Sequence, residues 1–405
     1  MSTTEVPGDA DAEIHFDHHS PSFRQNPYKV FSELRNQCPV VHSTAHGGFW
    51  VLTDHASVYE AARDDTLFSS AETVGIPPSG MPFPIIPSES DPPQTQQFRT
   101  ITLSAFSPKA VKALHSTMRE IATELIDSFV ERGECDIVAE LTNPLPARMM
   151  LRMLGFDEST WQSWVDRAHA VIHDRTHSPE AAQAAAGSIM AELGREIAKR
   201  RDADPEADVF ARIVHGTVDG NPLNDDQIMM YGLQMILGGM DTTSGLTSNT
   251  LFELCTNSDV RDRLLEDRSL LPAATEEFLR HGTPVLNQAR TVTRDAEFHG
   301  RRLRKGDRVM LAWASANHDP TVFENPEQVD LDRTDVRHLS FGVGAHRCLG
   351  SNLAREMFVV MLDEVLTRLP DFHLSGTPEK FPDAGEVHAM RRMRIAFTPG
   401  PRVGV

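Results

Sequence analysis

Residues 224–256 constrain the fold more than any other part of this 405-residue sequence. Asn224 is a good N-cap, and the residues after it support one helix of roughly 33 residues, long enough at ~1.5 Å per residue to cross a domain of about 50 Å. The first half of that helix (Ile228, Met229, Met230, Leu233, Met235, Ile236, Leu237) is apolar on nearly every face, the pattern of burial on all sides. Such a helix must be central. The rule then breaks at Gly238-Gly239-Met240-Asp241-Thr242-Thr243, where two glycines, each costing ~1 kcal/mol relative to alanine, stand beside a carboxylate and two hydroxyls. Two readings are open. In one, Gly238 admits a flat cofactor and a threonine hydroxyl bonds back to a carbonyl a turn earlier, opening a groove in a continuous helix. In the other, the helix ends at Gly239 and a second begins with Asp241 as its N-cap.

Helical periodicity recurs from about residue 29 to about residue 369, whereas strand-like alternation is confined to residues 48–53 and 291–311. The expectation is a mainly α fold with small β-sheets: an acidic N-terminal tail over residues 1–25, then one continuous domain over 26–405. Residues 73–93 carry seven prolines among apolar residues and cannot be helical. Residues 157–206 read as helical with a turn near 177–179. Either segment is able to cap a pocket, although a solvated connection is the simpler reading.

Composition narrows the function. A 40% hydrophobic share with 24% charged residues is that of an ordinary globular protein. The net charge of −19 opposes a nucleic-acid partner, which needs clustered Lys and Arg. No run approaches the ~20 apolar residues of a membrane span, and the acidic, His-rich N-terminus is unlike a signal peptide, so a cytoplasmic protein without membrane insertion is expected. Cys38, Cys135, Cys255 and Cys348 lie far apart, a spacing that suggests neither a disulfide framework nor a structural zinc site.

Three of these cysteines read as small buried hydrophobes. Cys348 lies in Ser340-Phe341-Gly342-Val343-Gly344-Ala345-His346-Arg347-Cys348-Leu349-Gly350, ahead of an amphipathic helix over residues 351–369. Gly342 and Gly344 permit a tight turn and close backbone approach to a ring, Gly350 removes a side chain where the helix begins, and His346 is able to bond a carboxylate. Near a helix N-terminus, free N–H groups favour a thiolate and tune any iron that it binds.

The string from Phe341 to Gly350 resembles the haem-binding signature of the cytochrome P-450 family, and residues 238–243 resemble its oxygen-activation motif. The resemblance runs from Asn26-Pro27-Tyr28 to Arg394 and is of the soluble bacterial type. It implies an α-rich triangular prism with haem b between the central helix and the helix after Cys348. Cys348 is then the axial iron ligand, and Gly238, Phe341, His346 and Gly350 lie against the cofactor. Arg99, Arg290 and His346 match its propionate contacts, with Thr95 where the family often has a histidine. Glu277 and Arg280 resemble the E-x-x-R pair that joins Arg333 in a buried network, although Glu192 and Arg195 have the same spacing, and a solvated salt bridge is the default for either.

The implied activity is insertion of one atom of dioxygen into a small hydrophobic substrate, with Asp241 relaying protons and Thr242 supplying a hydrogen bond at the oxygen site. Electrons come from a separate ferredoxin and ferredoxin reductase, and Arg347 is a candidate docking residue. Pocket candidates are Ile76, Phe83, Ile86, Gln234, Leu237, Leu286 and Asn287, and terpenoid, steroid, fatty-acid and aromatic substrates all stay open. A peroxide-driven peroxygenase and a non-catalytic haem sensor or carrier are the rivals.

Overall fold

The computed structural model describes residues 13–383 and 385–404. The central helix is unbroken over Asp225–Thr256, 32 residues or about 48 Å. A capping box starts it: the Asn224 side chain accepts from the Gln227 N–H, and the Gln227 side chain accepts from the Asn224 N–H. The alternative of two helices meeting at Gly239 is therefore not what forms. Thr242 Oγ1 donates to Gly238 O at 3.0 Å, spending the hydroxyl inside the helix instead of at a cap.

Helices Pro144–Leu154, Trp161–His173 and Pro179–Arg200 pack on one part of the central helix, and Ser351–Arg368 on another. This helical layer encloses two apolar clusters. One gathers Met149, Leu193, Phe210, Tyr231 and Leu233; the other gathers Phe129, Leu254, Phe278, Phe358 and Met393.

Beside the helices lies a six-stranded sheet in the order Glu13–Ile14, Val40–Ser43, Phe49–Leu52, Arg308–Leu311, Gln288–Val292, Phe68–Ser69. Strand Phe49–Leu52 pairs parallel with Arg308–Leu311, Trp50 opposite Val309, and all four of its residues are buried. The expected strands at 48–53 and 291–311 are both present. Strand structure is not confined to them: Val40–Ser43, Phe68–Ser69 and several two- or three-residue strands such as Glu134–Asp136 and Arg394–Ala396 also pair. Pieces that short carry too few alternations to register as a period of two.

Of the expected tail at residues 1–25, residues 13–25 are folded: Glu13–Ile14 joins the sheet, Pro21–Gln25 is helical, and Phe16 and Phe23 enter a cluster with Phe31 and Phe49. Residues 1–12 lie outside the described residues. The proline-rich segment is irregular as expected, and Glu89 braces it by accepting from the backbone N–H groups of Ile85 (2.7 Å) and Val74 (3.2 Å).

Candidate active site

The cysteine loop is built by backbone geometry. Gly342 and Gly344 take φ of +62° and +74°, the left-handed region that glycine enters without penalty. At Gly344 the space is also closed, since a Cβ there would stand 2.8 Å from Ala62 O. Cys348 N donates to Phe341 O at 2.7 Å, tying the two ends of the loop. Asn317, fully buried, holds the loop entrance by accepting from Leu339 N and donating to Ser340 Oγ.

Behind the loop, Glu277, Arg280 and Arg333 form the expected network. Arg280 donates to both Glu277 oxygens at 2.7 and 2.8 Å, Arg333 adds a bond at 3.0 Å, and the side chains are 0%, 1% and 9% exposed for Arg280, Glu277 and Arg333. The Glu192–Arg195 pair with the same spacing is the solvated one, its arginine 61% exposed. A second brace escaped the sequence reading. Glu276 accepts a bidentate bond from Arg355 (2.6 and 2.7 Å) and lies 3.2 Å from His338 Nε2, while the Arg355 guanidinium lies over the Phe341 ring at 4.4 Å. Although burial opposes it, these two partners hold the Glu276 carboxyl down to about 2. Its signal was an acidic residue next to Glu277, but nothing in the spacing tied it to Arg355.

An internal cavity separates the cysteine loop from the central helix. Its walls include Phe341, His346, Cys348 and Gly350 from one side, Gln234, Gly238 and Thr242 from the other, and Arg99 and Arg290 at an edge. The accessible surface of Cys348 is part of this wall. Gly238 opens the wall, because a Cβ there would meet only the Gln234 side chain; at Gly239 a Cβ would stand 2.1 Å from Met150 Cε.

Arg99, Arg290 and His346 converge beside Pro87 and Ser88. Among the described residues neither guanidinium forms an ion pair: Arg99 donates to Arg347 O at 2.6 Å and Arg290 to Ala289 O at 2.7 Å. His346 Nε2 is buried without a partner. Burial, helped by the nearby Arg308, pulls Arg290 down to about 10 against the attraction of Asp65 and Asp91, and burial together with Arg290 and Arg99 pulls His346 down to about 4. Cationic and N–H donors this poorly paired call for an anion. The two propionates of a haem would meet that need, and the glycine-opened wall leaves room for a flat cofactor beside Cys348. Thr95 is not part of the edge: it is fully buried, and its hydroxyl donates to Ser90 O at 2.7 Å.

Burial pushes the Cys348 thiol up, more than the Gly350 N–H and the Arg99, Arg347 and Arg355 guanidiniums pull it down. The Gly350 N–H at the helix start favours the thiolate as expected, but burial outweighs it. A coordinating metal makes the thiolate, by replacing the thiol proton outright.

Asp241 does not face the cavity. It is 1% exposed and turns toward helix Trp161–His173, its Oδ2 lying 2.9 Å from His173 Nε2 and its Oδ1 3.1 Å from His169 Nε2. Both histidines were missed, since no local pattern links them to a carboxylate 72 and 68 residues further along the chain.

Of the seven expected pocket residues only Gln234 lines the cavity, accepting a hydrogen bond from Ser88 Oγ at 2.9 Å. Ile76 and Leu286 share an apolar cluster under the sheet, Ile86 and Leu237 pack in the helical core, Asn287 donates to Gly385 O at 2.6 Å, and Phe83 is 44% exposed. Met150, Met235, Val285 and Gln288 line the cavity instead.

A glycine-built cysteine loop facing a glycine-opened helix, with unpaired cations at one edge, defines a haem-binding pocket. The chain belongs to the cytochrome P450 family: the family model matches residues 147–392. It is 36% identical over 364 residues to a steroid C26-monooxygenase of Mycobacterium tuberculosis, covering 88% of this chain and 97% of that protein. It is 29% identical to linalool 8-monooxygenase of Pseudomonas putida, with coverage of 93% and 97%. A Mycobacterium marinum cytochrome P450 in complex with pseudoionone superposes with a TM-score of 0.85 at 28% identity, covering 98% of this chain and 100% of that one. The protein is a haem b monooxygenase that acts with dioxygen on a hydrophobic substrate. Among the described residues no helix is long and apolar enough to cross a membrane.

Proposed function

We propose that Cys348 is the axial thiolate ligand of the haem, that Arg99, Arg290 and His346 hold its propionates, and that Thr242 and Asp241 deliver the proton on which productive oxygen activation depends. The observation that carries this reading is the convergence of Cys348, Thr242 and the unpaired cations Arg99 and Arg290 on one cavity. Haem, when bound, supplies the one-electron and dioxygen chemistry.

The residues around it govern water and protons. Thr242 keeps its hydroxyl at the cavity wall by donating to Gly238 O. Protons reach it from behind: His169 lines a surface cleft and touches Asp241, which precedes Thr242 in the helix. Met150, Met235, Leu246 and Val285 keep the cavity apolar, so a substrate enters by shedding water.

The substrate we infer is a terpenoid or steroid hydrocarbon skeleton, in keeping with the apolar wall and with the names of the steroid and linalool monooxygenases above. A screen of such compounds for the absorption change that follows loss of iron-bound water tests this. Binding by terpenoids or steroids supports it, and binding confined to fatty acids or small aromatics contradicts it.

Electrons come from a separate ferredoxin and its reductase, docking on the cysteine side. Arg347 and Arg63 are exposed there, Arg63 against Gly344, and exposed Lys109 and Lys112 lie on helix Pro108–Ala113, which packs against Ser351–Arg368. This local basic surface suits an acidic partner despite the net charge of −19.

A further inference from the structure

Three histidines that the haem pocket does not use meet at the opposite end of the sheet. His18 and His19 follow strand Glu13–Ile14, and His46 sits in the turn between Val40–Ser43 and Phe49–Leu52. One ring nitrogen from each lies within 4.8 Å of those of the other two. His18 is 1% exposed, and neither of its ring nitrogens has a hydrogen-bond partner. Its ring is lodged among Phe16, Phe49, His19 and His46 at centroid distances of 6.1, 5.8, 4.1 and 5.6 Å. A buried imidazole with both nitrogens idle is a strong exception to hydrogen-bond satisfaction, and it points into the cluster.

The neighbours are arranged as they are behind metal-bound imidazoles. His19 Nδ1 lies 2.8 and 2.9 Å from the Asp383 oxygens, and His46 Nε2 lies 2.8 Å from Asp17 Oδ1. Each carboxylate fixes a ring orientation, as the hydrogen-bond partners of ligating imidazoles do. His19 Nε2 faces Ile76 O at 2.9 Å. Ligation through Nε2 gives up the Ile76 O contact, releases the ring proton to solvent and keeps the Asp383 bond.

We propose that His18, His19 and His46 form a binding site for a divalent transition-metal ion of the zinc class, with water in the fourth position. Zn–N bonds of ~2.0–2.1 Å in a tetrahedron place ligand nitrogens roughly 3.4 Å apart, so the rings draw together by about 1.4 Å at most from their 4.8 Å limit. The cysteine spacing gave no hint of zinc because the ligands are all imidazoles brought together by strand pairing. Such an ion would clamp the N-terminal segment to the strand turn and, through Asp383, to the C-terminal region. The site does not depend on the assignment of Cys348.

The test is calorimetric titration of tag-free, haem-loaded enzyme with zinc chloride, together with the visible spectrum of the cobalt(II) form. The expected result is one saturable site per chain in the micromolar range or tighter, with four-coordinate nitrogen-ligated cobalt bands. His46→Ala, on an exposed turn, weakens binding at least tenfold, and His18→Gln abolishes it, both with unchanged haem content. Absence of one-to-one binding, or binding that survives both substitutions through surface histidines elsewhere, overturns the proposal. If His18→Gln fails to fold, His46→Ala decides alone: unchanged affinity contradicts the site.

Discussion

Asp241 and His173 face each other across two helices at 2.9 Å, each side chain 1% exposed. Burial opposes charge on both, yet their mutual attraction wins: Asp241 lies far below the usual carboxylate range, and His173 is raised. The two form a buried ion pair that pins helix Trp161–His173 to the oxygen-site segment of the central helix. Removing one partner strands the other, so His173→Ala should cost about 3–5 kcal/mol in denaturant unfolding.

The pH dependence follows from the signs. The stabilising contribution of a raised histidine is complete below its unfolded value and is lost as pH rises through the folded one. The thermal midpoint should therefore fall as pH climbs above about 6.5, the ordinary histidine value. The depressed Asp241 contributes across that whole window and loses its share only in strong acid. In Asp241→Asn the decline attributable to His173 should disappear; an unchanged pH profile would show that the pair carries no charge.

Thr242→Ala should leave haem content intact while diverting electrons to hydrogen peroxide. A positioned proton-transfer group is worth roughly 10²-fold, so product formed per NAD(P)H oxidised should drop by about tenfold or more. Unaltered coupling would remove Thr242 from the proton path.

Glu277 accepts from Arg280, Arg333 and the Asp330 N–H within a nearly dry site. Glu277→Gln leaves two buried guanidiniums facing one neutral amide. The expected cost is about 3–5 kcal/mol, read by chemical denaturation, with haem-free protein accumulating on expression. The same change at Glu192 should stay within about 0.5 kcal/mol, since its arginine partner is mostly solvated.

What the sequence displayed follows from where the chemistry sits. The central helix and cysteine loop were legible because capping, apolar periodicity and glycine placement are local, and Asn224, Gly342 and Gly344 behave as such residues must. The His173–Asp241, Arg355–Glu276 and His18–His46 contacts were not, because each joins segments whose meeting depends on tertiary packing. The substrate wall failed for the same reason: Ile76, Ile86 and Leu286 are apolar residues that the core claims, and an apolar residue does not announce which surface it covers.

Arg99 and Arg290 offer an independent check on cofactor orientation. Charge-assisted hydrogen bonds contribute about 1.5–3 kcal/mol, so Arg290→Leu or Arg99→Leu should speed haem loss to an apomyoglobin acceptor by roughly 10- to 100-fold. Haem retention equal to that of the parent would place the propionates elsewhere.

The central claim is that the Cys348 sulfur binds the iron, and the ferrous carbonyl spectrum addresses it most directly. The parent protein should show the long-wavelength Soret band from which the cytochrome P450 family takes its number, and haem-loaded Cys348→His should lose it for the shorter-wavelength band of an imidazole-ligated haem. Persistence of the long-wavelength band in Cys348→His, with haem content preserved, would contradict the assignment.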